Sequence, residues 1–233
     1  MVASRAFALP ATPYLTPPSG QQLSLLAFGD SITEGTGDTE HLGGYPGRLQ
    51  AILNVPVTNS GVGGEALAHH GLTRLKSVVR QSSATTVILN EGNSDAYDFD
   101  ISLPQFKAAL VQAVGYIKRR NKQLLLATQY PELYLHSIVQ GRLNGVNSII
   151  RKVAAANGIR VVSIDRVWET TCNELPNCDL LFKDGLHPNG MGYDAITDVA
   201  LAALAEINLF STQGASEVEA AYDLPDNYVI VKP

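Results

Sequence analysis

Leu23-Ser24-Leu25-Leu26-Ala27-Phe28, followed by Gly29-Asp30-Ser31-Ile32-Thr33-Glu34-Gly35, decides how this chain is read. A nearly continuous apolar run, too short for a typical helix, stops at a small, acidic, serine-bearing turn. That is the pattern of a strand covered on both faces that gives way to a loop at its carboxyl end. Runs at 55–58, 85–89, 123–128 and 159–164 share the pattern. Between them Phe106, Leu110, Ala113 and Ile117 recur at helical spacing, as do Val139, Leu143, Val146, Ile150 and Val153. Ser102 with Gln105 forms a capping box with Pro104 in the first turn, and Asn157-Gly158 is a left-handed stop. Shorter helices are expected over 44–53 and 72–80, and a last one over 189–207.

This alternation predicts an α/β fold, a three-layer α/β/α sandwich around a parallel sheet with right-handed crossovers. The body is expected over 23–207. A Pro-rich arm (1–22) precedes it, of the kind left when a signal is removed. A tail (208–233) follows and is expected to lay 228–231 on the body as an edge strand. In such folds ligands bind at the carboxyl ends of the strands, so chemistry is sought in the loops there.

Composition narrows the classes. With 233 residues, 45% hydrophobic and 17% charged, the chain can bury a sizeable core. A formal net charge of −5 gives no basic face for nucleic acid. No run approaches the ~20 apolar residues of a membrane-spanning helix. The two cysteines, Cys172 and Cys178, share one Pro-containing loop. A disulfide between them, placing the protein in an extracellular or periplasmic compartment, is the preferred reading; reduced thiols in a cytoplasmic protein are the alternative. His41, His69, His70 and His136 lack spaced carboxylate or thiol partners, so no metal site is expected. His41 and Tyr45 remain candidates to face a substrate.

The loops carry the chemistry. Ser31 follows the first strand and either caps the next helix or serves as a nucleophile. Asn59-Ser60-Gly61-Val62-Gly63-Gly64 is either a flexible turn or a segment that brings backbone N–H groups to a ligand. Asn90-Glu91-Gly92-Asn93-Ser94-Asp95 is either a polar turn or a source of donors to an oxyanion. In Asp184-Gly185-Leu186-His187-Pro188, the proline biases His187 to an extended backbone at a helix entrance. Asp184, three residues back, can orient the ring and leave Nε2 free as a base.

These blocks, in this order over 23–207, resemble those of the GDSL esterase/lipase family, also called SGNH hydrolases. The resemblance implies a flavodoxin-like sandwich with a five-stranded parallel sheet, no cofactor, and hydrolysis of small-molecule carboxylic esters of short to medium acyl chain. By it, Ser31 is the nucleophile, His187 the base and Asp184 its orienting acid. Ser31 and Gly61 supply backbone N–H groups to the oxyanion hole. The family's third block reads Gly-x-Asn-Asp, so keeping Gly92 and Asp95 in register puts Ser94 at the oxyanion-hole position, with Asn93 one residue early as the other candidate. A carbohydrate acetylesterase and a non-catalytic binding module on the same fold are the alternatives.

Overall fold

A computed structural model describes residues 22–131, 134–172, 180–181, 183–206, 209–210 and 213–222. In chain order the elements are β1 (Leu25–Gly29), α1 (Ser31–Glu34), α2 (Gly44–Leu53), β2 (Val57–Gly61), a π-helical turn (Leu67–Gly71) and α3 (Leu72–Gln81). Then come β3 (Thr86–Asn90), α4 (Asn93–Tyr97), α5 (Leu103–Lys118), β4 (Gln123–Ala127), a 3-10 turn (Tyr134–Val139) and α6 (Gln140–Asn157). The series ends with β5 (Arg160–Val162), α7 (Ile164–Thr171), α8 (Gly190–Ala205) and α9 (Gly214–Tyr222).

The strands form one parallel sheet in the order β2-β1-β3-β4-β5. The inner strands β1 and β3 are buried at every position. Alternate residues serve opposite faces, as strand geometry requires. Leu25, Ala27, Ile88, Leu125 and Ala127 pack with α2, α7, α8 and α9, whereas Leu26, Phe28, Val87, Leu89, Leu124 and Leu126 pack with α3, α5 and α6. Two apolar layers therefore flank the sheet, which gives the three-layer sandwich.

The helices form where their apolar spacing and caps require. Ser102 and Gln105 close the capping box at the start of α5, which buries Phe106, Leu110, Ala113 and Ile117. Gly158 stops α6 at φ 62°. Elsewhere the strand bounds differ from the expectation. β2 starts at Val57 and runs to Gly61, because pairing with β1 sets an edge strand whose Thr58 and Asn59 face solvent. β5 is only three residues long, and Ile164 opens α7 instead. α8 starts and stops inside the expected 189–207, with Asn189 as its cap. Past it, residues 214–222 are helical, and Val218 and Ala221 of α9 join the core beside α8. Residues 1–21 of the arm and the expected edge strand at 228–231 lie outside the described residues.

Chain direction across the sheet reverses between β1 and β3, so a crevice opens at their carboxyl ends. Gly29, Gly61 and Asn90 stand in one row of the ladder, so the loops that follow them leave the sheet at the same level.

Candidate active site

Ser31 is the first residue of α1, and Asp30 caps that helix by accepting the Ile32 N–H at Oδ1 (3.0 Å). The turn is tight because Gly29 has no side chain: a Cβ there would lie 2.2 Å from the Asn90 carbonyl oxygen and from Thr33 Oγ1. Asp30 is 1% exposed. Burial pushes its pKa up to about 6 against the opposing pull of the Ile32 and Ser94 N–H groups.

The Asp184–His187 loop arrives from the other end of the chain. Asp184 Oδ1 accepts the N–H groups of Leu186 (2.9 Å) and His187 (3.0 Å), and its Oδ2 lies 2.7 Å from His187 Nδ1. Partial burial raises the Asp184 carboxyl, but these three donors outweigh it and hold its pKa below the ordinary value. The carboxylate therefore accepts a hydrogen bond from Nδ1–H, which keeps the proton on that nitrogen and leaves Nε2 as the basic one. His187 Nε2 lies 3.0 Å from Ser31 Oγ. Downstream, Pro188 bridges Leu181 and Asn189 caps α8, while Tyr130 donates its hydroxyl to the Leu186 carbonyl (2.7 Å). The loop is thus fixed on both sides of the imidazole.

Ser31 and His187 open into a cleft of about 980 Å³. Gly63, Gly64, Asn93 and Ser94 line it, together with His69, His70, Tyr97, Asp98 and His136. Gly61 does not. It ends β2, and its N–H is donated to Asn59 Oδ1 at 2.9 Å, so the expected oxyanion donor is already engaged. Glycine is needed at 61 for another reason: a Cβ would fall 2.0 Å from the Glu34 nitrogen. Among the described residues the amides of Gly63 and Gly64 have no hydrogen-bond partner, and Gly64 turns through φ 73° as it passes the cleft. The free N–H groups of this loop therefore lie two and three residues beyond the expected position.

Asn93 is buried, and its Nδ2 has no hydrogen-bond partner. Ser94 Oγ points instead to Asp30 Oδ2, at 3.5 Å. Tyr45 is buried with its hydroxyl against Thr33 Oγ1 (3.1 Å), which removes it as a substrate contact, and His41 does not line the cleft. Among the described residues no group of three metal-ligating side chains converges. Cys172 is in a disulfide; Cys178 lies outside the described residues.

Several residues that build the site gave little signal in the sequence. Asp95 accepts the N–H groups of Leu67 (2.8 Å) and Ala68 (2.9 Å) and so ties α4 to the π-helical turn that carries His69 and His70. Arg74 lies over the Phe28 ring at 3.9 Å, pairs with Glu65, and donates to Ser60 Oγ and to the Ser60 and Gly29 carbonyls. Tyr97 Oη is 2.7 Å from His136 Nδ1, and His69 Nδ1 is 3.1 Å from Asp98 Oδ2. The spacing Asp95-x-Tyr97-Asp98 puts these carboxyls and the phenol on one short helix and its C-terminal cap, a clue visible only once the other loops are placed.

No curated protein compared with the chain matches it. Solved structures similar to it include a lipase/acylhydrolase from Enterococcus faecalis (24% identity, 77% of this chain and 93% of that one covered, TM-score 0.64). Another is an acetylxylan esterase from Geobacillus stearothermophilus (21% identity, 79% and 95% covered, TM-score 0.67). A third is an α/β hydrolase from the metagenome of Lake Arreo, Spain (22% identity, 78% and 94% covered, TM-score 0.67). At these identities the likeness shows the shared fold. Residues 27–195, which run from inside β1 into α8 and include every loop of the cleft, match the model of one hydrolase family, and by that match the chain belongs to the GDSL-like lipase/acylhydrolase family.

Proposed function

We propose that this hydrolase cleaves carboxylic esters of short to medium acyl chain with Ser31 as nucleophile. The observation that carries the reading is the unbroken hydrogen-bonded series from Asp184 through His187 to Ser31 at the mouth of a cleft. Ser31 Oγ attacks the ester carbonyl carbon while His187 Nε2 takes the hydroxyl proton, and Asp184 stabilises the imidazolium. The carbonyl oxygen becomes an oxyanion. Donors that support it are the Ser31 N–H, the Gly63–Gly64 amides in place of Gly61, and the Asn93 amide, whose unpartnered Nδ2 favours it over Ser94. The alcohol leaves with the proton from His187. Water, deprotonated by the same imidazole, then cleaves the acyl-Ser31 ester and restores the enzyme. The disulfide at Cys172 supports an extracellular or periplasmic setting.

Labelling with a fluorophosphonate probe tests the assignment. Covalent modification of the native protein that maps to Ser31 and is lost in Ser31→Ala is the expected result. A folded protein that takes no label is a binding module on the same fold.

The cleft wall favours a second, narrower reading, an acetyl ester of a carbohydrate. The cleft is lined by imidazoles, a phenol and the carboxylates of Glu65 and Asp98, with Val62, Ala66 and Leu186 as its only aliphatic members among the described residues. These groups offer hydrogen bonds to a hydroxyl-rich alcohol, and the apolar carbon that makes up most of the exposed lining can pack against its ring faces. The measurement is kcat/KM on acetylated xylo-oligosaccharide against p-nitrophenyl esters of rising acyl length. A rate that climbs with chain length would rule the narrower reading out.

A further inference from the structure

Glu91 stands where β3 ends, one residue beyond the ladder row that launches the nucleophile turn, and the mechanism above makes no use of it. It is 2% exposed, and neither carboxylate oxygen has a hydrogen-bond donor. The ionisable groups whose charges act on it most strongly come from several elements. Asp30 lies in the β1–α1 turn, Tyr45 on α2, Glu65 in the loop after β2, Arg74 on α3 and Asp95 on α4. Three of the five are carboxyls. Arg74 is the cation among these five groups, and its guanidinium is already committed to Glu65, Ser60 and the Gly29 carbonyl. A bare carboxylate in such a place would carry an uncompensated buried charge, which proteins avoid by keeping the proton.

We propose that Glu91 is a positioning residue that works as an uncharged carboxylic acid beneath the Ser31 turn. In that form it leaves Asp30 as the ionised member of the pair. The Asp30 carboxylate then holds the Ile32 and Ser94 N–H groups that set the turn and the start of α4. It also keeps negative charge away from the place where the oxyanion forms. When solvent base removes the Glu91 proton, the charge of a second buried carboxylate repels that of Asp30 and the hold weakens.

Burial, and then the fields of Asp30, Asp95 and Glu65, push the Glu91 carboxyl well above its ordinary value, in keeping with the geometry. In the unfolded chain Glu91 releases its proton near the ordinary glutamate pKa of about 4.3. In the folded protein it keeps that proton to higher pH. Its contribution to stability is therefore complete below the unfolded value and is lost as pH rises towards the folded one. Glu91→Gln fills the same space and cannot ionise.

The test compares urea unfolding of the wild type and Glu91→Gln from pH 5 to 8. The ratio of their unfolding constants, wild type over variant, is expected to rise about tenfold per pH unit until the folded Glu91 titrates. A ratio that stays flat overturns the proposal. Activity on p-nitrophenyl acetate gives the positioning readout. Glu91→Gln should keep the acid limb of the kcat/KM profile and move the alkaline limb upward, whereas Glu91→Ala should lose activity across the range; an unmoved alkaline limb refutes the positioning role.

If Glu91→Gln does not fold, carbon-13 NMR of glutamate-labelled wild type replaces it. One δ-carboxyl carbon that stays protonated at neutral pH supports the proposal, and a full set that titrates near the ordinary value refutes it. The kinetic arm rests on the assignment of Ser31 as nucleophile, but the unfolding and NMR arms do not. A protein that lacks esterase activity yet shows the rising ratio would count against that assignment alone.

Discussion

Ser31 and His187 are 156 residues apart in sequence and 3.0 Å apart at Oγ and Nε2. The approach is built by the segment after α1, which is tied to the start of α8. Thr39 Oγ1 accepts the Gly190 N–H (3.1 Å), and Tyr193 donates its hydroxyl to the Thr36 carbonyl (2.7 Å). Since His187 stands three residues before Gly190, the same bonds that seat α8 seat the imidazole. Ser31→Ala should lose at least about 10³-fold in kcat on p-nitrophenyl acetate while its urea midpoint stays with the wild type. Residual turnover within tenfold of the wild type would remove Ser31 from the mechanism.

Arg48 is the strongest of these ties. Its guanidinium, 3% exposed, pairs with Asp38 at 2.8 Å and Asp194 at 2.7 Å, and so joins the post-α1 segment to α8. Removing one partner of a buried pair leaves the others unbalanced, so Arg48→Ala should cost about 3–5 kcal/mol. The two carboxyls respond differently. Burial raises both, but for Asp38 the Arg48 hydrogen bonds and the Gly44 and Glu40 N–H groups win and hold its pKa below the ordinary value. For Asp194 burial wins, helped by Glu40 and Asp38. The share of stability that depends on ionised Asp38 is present above its unfolded value and lost as pH falls through the folded one. The deficit of Arg48→Ala in urea unfolding should therefore be larger at pH 7 than at pH 3. Equal deficits would place the stabilisation in the packing of the Arg48 stem.

The third oxyanion donor separates two neighbours. Asn93 carries an unpartnered buried amide beside Ser31, and the Ser94 hydroxyl turns to Asp30. Asn93→Ala should lower kcat by about 10²–10³-fold, the cost seen when one such donor is removed. Ser94→Ala should cost much less. Ser94→Asn supplies the complementary reading, because a rise in kcat would show that position 94 holds a weak donor and that Asn93 does not serve.

How much of this was legible in the sequence depended on whether the cause was local. β1, β3 and β4 announce themselves as runs buried on both faces, and α5 by its capping box and spacing. β2 and β5 were misplaced by a few residues because edge strands are set by pairing more than by hydrophobicity. The Asp184–His187 pair was legible for the same reason of locality, since a three-residue offset lets one turn hold both groups. Gly61 is ambiguous in the sequence because a glycine answers equally to a ligand and to a crowding backbone; the structure shows crowding from Glu34, on a different element. Glu91, Arg74 and Asp95 were opaque, because each acquires its meaning from partners on other loops.

Asp95 shows how such a residue can be tested. It is 1% exposed, and its two oxygens receive the Leu67 and Ala68 N–H groups at the mouth of the π-helical turn. Those are early amides of a helical turn, which have no carbonyl partner within it. Through them α4, with Asn93, Ser94 and Tyr97, is locked to His69 and His70 across the cleft. Asp95→Ala would strand two N–H groups in or near the core, at about 1–3 kcal/mol each. A loss of about 2–6 kcal/mol in urea unfolding is expected, with faster amide exchange at Leu67 and Ala68 than at the strand amides of β1. Because the wall opposite Ser31 then loosens, KM should rise by a larger factor than kcat falls, which a uniform loss of folded protein would not produce. Slow exchange at both amides in a folded Asp95→Ala would show that the turn holds without the carboxylate, and the cleft wall would need another anchor.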